Sequence, residues 1–98
     1  MPDPDSIVKE MGMTREDFSR GLPAALDGFD YRIEGDQVLV ETPGRGLSIT
    51  FEALEPRRIG PTFAMPRARV TIAFGDLDAD GRKGFLARFD RAYQRGGG

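Results

Sequence analysis

The 98-residue chain contains neither cysteine nor histidine. Without cysteine it can form no disulfide and no thiolate metal site, which is typical of a cytoplasmic protein. Without histidine it lacks the commonest general base and transition-metal ligand, so Ser–His and Cys–His nucleophilic sites are excluded. We therefore expect a protein that is not an enzyme and that holds no cofactor or metal ion.

Long apolar runs are also missing. No segment approaches the ~18 consecutive apolar residues of a membrane-spanning helix. The first residues are acidic and lack the basic and apolar regions of a secretory signal. These features predict a cytoplasmic protein that does not contact a membrane.

The composition that remains is that of one folded domain. Apolar residues make up 39% of the chain and charged residues 31%, which is typical of a soluble globular protein. The length corresponds to a single domain with one modest core. We expect this domain to cover residues 1–98, with flexible tails at 1–4 and 96–98.

Charge is distributed unevenly along the chain. Residues 1–55 carry 5 Lys/Arg and 12 Asp/Glu, whereas residues 56–98 carry 9 Lys/Arg and 4 Asp/Glu. A chain polarised in this way can pair its halves internally, bind an oppositely charged partner, or associate with copies of itself.

The first helical signals lie near the N-terminus. Asp5 or Ser6 is a candidate cap for a short helical turn that ends at Gly12. Thr14 is a natural N-cap for a second helix, and Asp17 stands three residues later, in the spacing of a capping box.

The helix after Thr14 has one apolar face. The residues at helical spacing on this face are Phe18, Leu22, Ala25 and Leu26. Pro23 removes a backbone donor and crowds the preceding turn. We therefore expect a kink or a break near residues 20–22.

Four segments with alternating apolar residues predict strands. In order they read FDYRIE, QVLVET, LSITFEAL and RARVTIAF. Gly35-Asp36 and the PGRG sequence at 43–46 predict the turns that separate the first three. The residues expected to point inward from the last two strands are Leu47, Ile49, Phe51, Ala68, Val70, Ile72 and Phe74. A sheet with one apolar and one polar face is typically antiparallel.

The EPRRIGPTFAMP segment lies between the third and fourth strands. Its three prolines and Gly60 disfavour a helix, so we interpret it as the longest irregular stretch of the chain. Ile59, Phe63 and Met65 are expected to pack it onto the domain.

The last helix has the clearest pattern. An apolar stripe is formed by Phe85, Leu86, Phe89, Ala92 and Tyr93. The whole chain then predicts an α+β fold in two layers, ordered α-β-β-β-β-α, in which a four-stranded antiparallel meander is covered on one face by an N-terminal and a C-terminal helix.

The sequence FGDLDADGRKGF resembles half of a calcium loop. Asp76, Asp78, Asp80 and Gly81 match positions 1, 3, 5 and 6 of an EF-hand loop, but position 12 is Ala87, which has no side-chain oxygen. We therefore favour a helix cap at Asp78 or Asp80 over calcium binding in residues 76–81. The helix should begin between Asp78 and Gly81.

Arginine is concentrated in residues 57–95. The candidate binding residues for an anionic partner are Arg57, Arg58, Arg67, Arg69, Arg88, Arg91 and Arg95. Arginine suits bidentate contact with phosphate or carboxylate, but a nucleic-acid surface usually adds exposed aromatic side chains. The sequence pI of about 5.1 is also far from that of a typical nucleic-acid binder.

These features favour a non-catalytic interaction or accessory module. Its partner would be another protein or a second copy of the chain, recognised through the charge polarity. Anion or nucleic-acid binding through the arginine-rich face is the alternative. The C-terminal Gly-Gly-Gly resembles the end of small carrier proteins, but it follows a helix, so a glycine helix stop is the simpler interpretation.

Overall fold

The computed structural model describes residues 6–41 and 46–93, which form one five-stranded sheet and two helices. In chain order the elements are β1 (Ser6–Met11), α1 (Arg15–Ala25), β2 (Tyr31–Glu34), β3 (Gln37–Val40), β4 (Ser48–Ile59), β5 (Phe63–Ala73) and α2 (Ala79–Tyr93). The sheet is antiparallel with strand order β1-β5-β4-β3-β2. The predicted α+β architecture is confirmed, with five strands in place of four. The expected tails at 1–4 and 96–98 lie outside the described residues.

The additional strand is β1, where a short helical turn was predicted. Ile7 lies opposite Ile72 and Met11 lies opposite Ala68 on β5, so the segment completes one edge of the sheet. On the same face, the Nζ of Lys9 lies 3.0 Å from Oδ1 of Asp90 on α2. The helical prediction was wrong because the exposed backbone of β5 offers this segment a full set of hydrogen-bonding partners.

Helix α1 begins as predicted. The Thr14 side chain accepts a 3.1 Å hydrogen bond from the Asp17 amide, and the Asp17 carboxylate accepts one from the Thr14 amide, which is a capping box. Of the kink or break predicted near residues 20–22, the break does not occur, since the helix continues through Pro23 to Ala25. Pro23 removes one backbone hydrogen bond from the last turn, and the burial of Leu22 and Ala25, which are fully inaccessible to solvent, holds this turn in place.

Strands β2 and β3 form the predicted hairpin. Gly35 adopts a left-handed φ of 63° in its turn, a conformation that glycine tolerates at little cost. The turn predicted at 43–46 falls largely on residues 42–45, which lie outside the described residues.

The core lies between the two helices and one face of the sheet. Its strand residues are those predicted to point inward, namely Leu47, Ile49, Phe51, Ala68, Val70, Ile72 and Phe74, together with Val38 and Val40. The helices contribute Phe18, Leu22, Ala25, Leu26, Phe85 and Phe89. The opposite side of the sheet, called the open face below, is covered by neither of the two described helices and is mainly polar.

Helix α2 begins at Ala79, within the predicted interval. The Gly81 amide donates a 2.7 Å hydrogen bond to Oδ1 of Asp78, so Asp78 caps the helix. Phe85 and Phe89 are buried, and their rings lie 6.1 Å apart in a row that continues to Tyr93. The predicted apolar stripe is confirmed.

Candidate interaction arm

Strands β4 and β5 extend well beyond the rest of the sheet. Strand β1 pairs with β5 only as far as Ala68, and β3 pairs with β4 only over residues 48–50. The pairing between β4 and β5 themselves continues to Ile59 and Phe63. Residues 55–67 therefore form a two-stranded projection, called the arm below, in a molecule that measures 48 × 29 × 24 Å.

The arm replaces the irregular, packed-down segment predicted from EPRRIGPTFAMP. Both of those expectations were wrong. The prolines are accommodated because the register between the strands shifts between Leu54 and Arg57, so that Glu55 and Pro56 together oppose Pro66. A β-bulge of this kind absorbs an extra residue and a missing donor without ending the ladder.

The bulge decides which side chains share a face of the arm. Before it, Leu54 lies opposite Arg67 on the open face. After it, Arg57 lies opposite Met65 and Ile59 opposite Phe63, and these pairs fall on the same face as Arg67 because side chains alternate along β5. The arm therefore continues the open face of the sheet.

Three large apolar side chains occupy neighbouring positions on one face near the end of the arm. Ile59 is 45% exposed, Phe63 58% and Met65 41%. Together they form a contiguous set on one face, called the tip cluster below. The prediction that these three residues pack onto the domain was wrong, since the core reaches no further along the hairpin than Phe51 and Ala68.

The arginines of the hairpin fall into two groups. Arg67 contacts Glu10 through two nitrogens, at 3.2 and 3.4 Å, and Nη1 of Arg69 lies 3.0 Å from Oε1 of Glu52. Arg57 and Arg58, by contrast, have no carboxylate within ion-pair distance among residues 6–41 and 46–93. Two cations of the arm are thus available to a partner.

The arginines at the base of the arm alter the pKa of the neighbouring carboxylate of Glu10. The hydrogen bond from Arg67 lowers the pKa of Glu10 below its ordinary value, and the charges of Arg67, Arg69 and Arg57 lower it further. Glu10, Arg57, Met65 and Arg67 line a depression of about 160 Å³ beside the bulge. Arg57 is therefore close enough to act on Glu10 electrostatically without forming an ion pair.

The remaining predicted binding arginines lie elsewhere. Arg88 and Arg91 belong to α2, which covers the opposite face of the sheet from Arg67 and Arg69. Arg88 donates a 2.6 Å hydrogen bond to the backbone oxygen of Asp27, while Arg95 lies outside the described residues.

The predicted binding arginines therefore do not form one surface. The structure brings Arg57, Arg67 and Arg69 to one face and places Arg88 and Arg91 on another. Arg58 lies on the second face of the arm.

In the acidic loop at residues 76–81, one carboxylate has a structural role. Asp78 caps α2, and Nε of Arg82 donates a 2.8 Å hydrogen bond to the Leu77 backbone oxygen. Within the part of the chain that the structure describes, no group of three or more acidic side chains is arranged to hold a metal ion.

One buried hydroxyl group lies on the helical side of the sheet. Tyr93 Oη donates a 2.6 Å hydrogen bond to the Phe18 backbone oxygen. Burial raises the pKa of Tyr93 well above its ordinary range, and the charge of Tyr31 raises it further. The hydroxyl therefore stays protonated at neutral pH and serves to join α2 to α1.

Comparison with known proteins identifies no relative. No protein-family model matches the chain, and neither a curated protein nor a solved structure is significantly similar to it. Across the two described ranges, no helix has the length and apolar character needed to cross a membrane. The arm must therefore be interpreted from its own chemistry.

Proposed function

We propose that this protein is a non-catalytic interaction module and that the arm is its binding element. The observation that carries the proposal is the tip cluster, three large apolar side chains that stand exposed together at the end of a projecting hairpin. Single exposed apolar residues are common on protein surfaces, but a contiguous set on a projection is typical of an interaction site.

The composition of the arm supports a protein partner. Phenylalanine, methionine and arginine are enriched at the centres of protein interfaces, where lysine and acidic residues are depleted. The tip cluster with Arg57 and Arg58 has this composition. A two-stranded ribbon is also only marginally stable alone in water, so a partner that covers the apolar face would stabilise the arm itself.

Site-specific photo-crosslinking in the native cells would test the proposal. A photoreactive phenylalanine analogue at Phe63 should give discrete protein adducts, whereas the same analogue at exposed Lys83 on α2 should not. The Ile59→Ser/Met65→Ser variant should lose the Phe63 adducts if the apolar tip is responsible. Equal crosslinking from the two positions, or adducts that survive the double variant, would contradict an arm-mediated interaction.

A second candidate function is nucleic-acid binding by the same arm. The observation in its favour is the combination of exposed Phe63 with Arg57 and Arg58, which have no ion pair with any described residue, because architectural proteins insert arginine and apolar wedges into the minor groove. The net charge of −2 opposes it. Retention on duplex DNA that falls steeply with salt and is lost in Arg57→Gln/Arg58→Gln would support this candidate.

A further inference from the structure

We propose that the partner of the arm is a second copy of this chain, in a two-fold dimer where each arm lies across the open face of the other copy's sheet. This inference rests on the proposed function, since it names the occupant of the same arm. Such an interface is isologous, so both arms and both receiving faces are used and no further copy can add.

Charge favours a second copy over a polyanion. Residues 55–67 contain three arginines and one glutamate, a net charge of +2, so the remaining residues carry −4 when the whole chain carries −2. The arm of one copy is therefore attracted to the acidic remainder of another. A nucleic acid or an anionic lipid surface would attract the arm, but the net negative charge of the remaining residues would oppose its approach.

The prolines determine how the arm can associate. Pro56 and Pro66 lie opposite each other at the bulge and each removes a backbone donor from its strand. Prolines and bulges are the usual devices that prevent a sheet edge from pairing with another chain. The arm should therefore bind through the face that carries the tip cluster rather than by adding a strand.

Face-to-face packing of two antiparallel hairpins has a simple geometry. If the two-fold axis passes near the pair Leu54–Arg67, the tip pair Ile59–Phe63 of one copy lies above the pair Thr50–Thr71 of the other, which is equally far from the axis on the opposite side. The pair Thr50–Thr71 is itself uncharged, and on the open face it lies between the uncharged pair Ser48–Ala73 and the charged pair Glu52–Arg69. Packed sheets lie about 10 Å apart, so the tip side chains would reach this surface.

The same geometry pairs the charged residues. The pair Arg57–Met65 of one copy would lie above the row Glu10–Arg69–Glu52 of the other, which holds two carboxylates and one guanidinium. Arg57, which has no ion pair within its own described chain, would thus meet an acidic row. One surface carries both halves of the contact, as a two-fold interface requires.

Sedimentation analysis of the purified full chain gives the first test. From about 1 to 100 μM the native protein should shift from the mass of one chain to that of two. Phe63→Ser should raise the dimer dissociation constant by about tenfold or more, as expected for an interface anchor. Ile33→Ser is the matched control, because Ile33 is 51% exposed on the helical side of β2 and should leave the constant unchanged.

Disulfide trapping tests the arrangement, and the absence of native cysteine removes any background. A mixture of the Phe63→Cys and Thr71→Cys chains should give mainly the mixed disulfide under mild oxidation, because the two-fold axis places β5 of one copy above β5 of the other. The Lys83→Cys chain, whose cysteine would lie on α2, should not couple to Phe63→Cys. A predominance of the Phe63→Cys homodimer would overturn the exchanged-arm geometry.

Failure of this inference can be told apart from failure of the proposed function. A monomer at every concentration, with photo-crosslinks from Phe63 to a chain of another mass, overturns self-association and leaves the interaction arm standing. A monomer with no photo-crosslink from Phe63 overturns both. Loss of dimer in the Ile33→Ser control to the same extent as in Phe63→Ser also overturns the inference.

Discussion

The Tyr93 hydroxyl donates a 2.6 Å hydrogen bond to the backbone oxygen of Phe18, and the two rings stack with their centroids 5.6 Å apart. This contact links the end of α2 to the first turn of α1, across 75 positions of the sequence. Because α1 and α2 are the only helices among the described residues, it joins the two halves of the layer that covers the sheet.

Removing the hydroxyl should weaken this junction. Tyr93→Phe retains the ring stacking but loses the hydrogen bond to Phe18, so we expect the free energy of unfolding to fall by about 0.5–1.5 kcal/mol at pH 7. Urea denaturation followed by circular dichroism would measure the change. Tyr31→Phe is a suitable control, since no hydrogen bond of the Tyr31 hydroxyl is present in the described structure.

The same residue predicts how stability responds to alkaline pH. Burial raises the pKa of Tyr93 above its ordinary value of 10.0. The unfolded chain therefore releases this proton first, so the contribution of Tyr93 is fully present well below pH 10 and is lost progressively as the pH approaches and passes that value. The difference in unfolding free energy between native protein and Tyr93→Phe should shrink between about pH 9.5 and 11. A constant difference over this range would contradict the raised pKa.

The close approach of α1 and α2 depends on a glycine. A Cβ atom at Gly21 would overlap the Tyr93 ring, whereas a Cβ at Gly84 would meet nothing within 4 Å. Gly21→Ala should therefore destabilise the protein by about 1–3 kcal/mol through overpacking. Gly84→Ala, also within a helix, should stabilise it by about 0.5–1 kcal/mol. Thermal unfolding of the two variants in parallel would distinguish these opposite effects.

The helix cap at Asp78 should respond to the ability of the side chain to accept a hydrogen bond. Asp78→Ala is expected to cost about 1 kcal/mol of stability, and Asp78→Asn much less, because asparagine caps nearly as well. Millimolar calcium should leave the melting temperature of the native protein and of both variants unchanged. A calcium-dependent rise that is present in the native protein and absent in Asp78→Ala would revive the metal site.

The tip cluster and the core should respond differently to truncation. Phe89 is fully buried between the helices and the sheet, so Phe89→Ala should cost about 3–5 kcal/mol. Phe63 is 58% exposed on the arm, and Phe63→Ala should alter the unfolding free energy of the monomer by less than about 0.5 kcal/mol. Denaturation at protein concentrations below about 1 μM, where the chain is monomeric, would measure both without a contribution from association.

The sequence was most informative where local and tertiary signals agree. The Thr14–Asp17 capping box, the Gly35 turn and the inward alternation from Leu47 to Phe51 were all predicted and confirmed. In each case the same few residues set both the backbone conformation and the buried face, so no distant contact was needed to decide the structure.

The wrong predictions have a common physical cause. Each concerns a segment whose structure depends on strand pairing or packing with other parts of the chain, which the local sequence pattern does not show. Ile7, Val8 and Met11 have the spacing of a helical turn, yet residues 6–11 form a strand because β5 has a free edge to fill. The arm was interpreted as irregular because Pro56, Pro61 and Pro66 each lack a donor, but a bulge and a hairpin turn accommodate them. The exposure of Ile59, Phe63 and Met65 could not be predicted, because the presence of apolar side chains does not indicate how far the core extends along the hairpin.

The separation of the arm from the core also affects how this protein can change over evolutionary time. All the buried residues that the structure describes lie outside residues 55–67, so substitutions in the arm do not enter the core. Selection for folding and selection for recognition therefore act on separate sets of positions. A lineage could change the arm together with the open face that receives it while inheriting the same core beneath both.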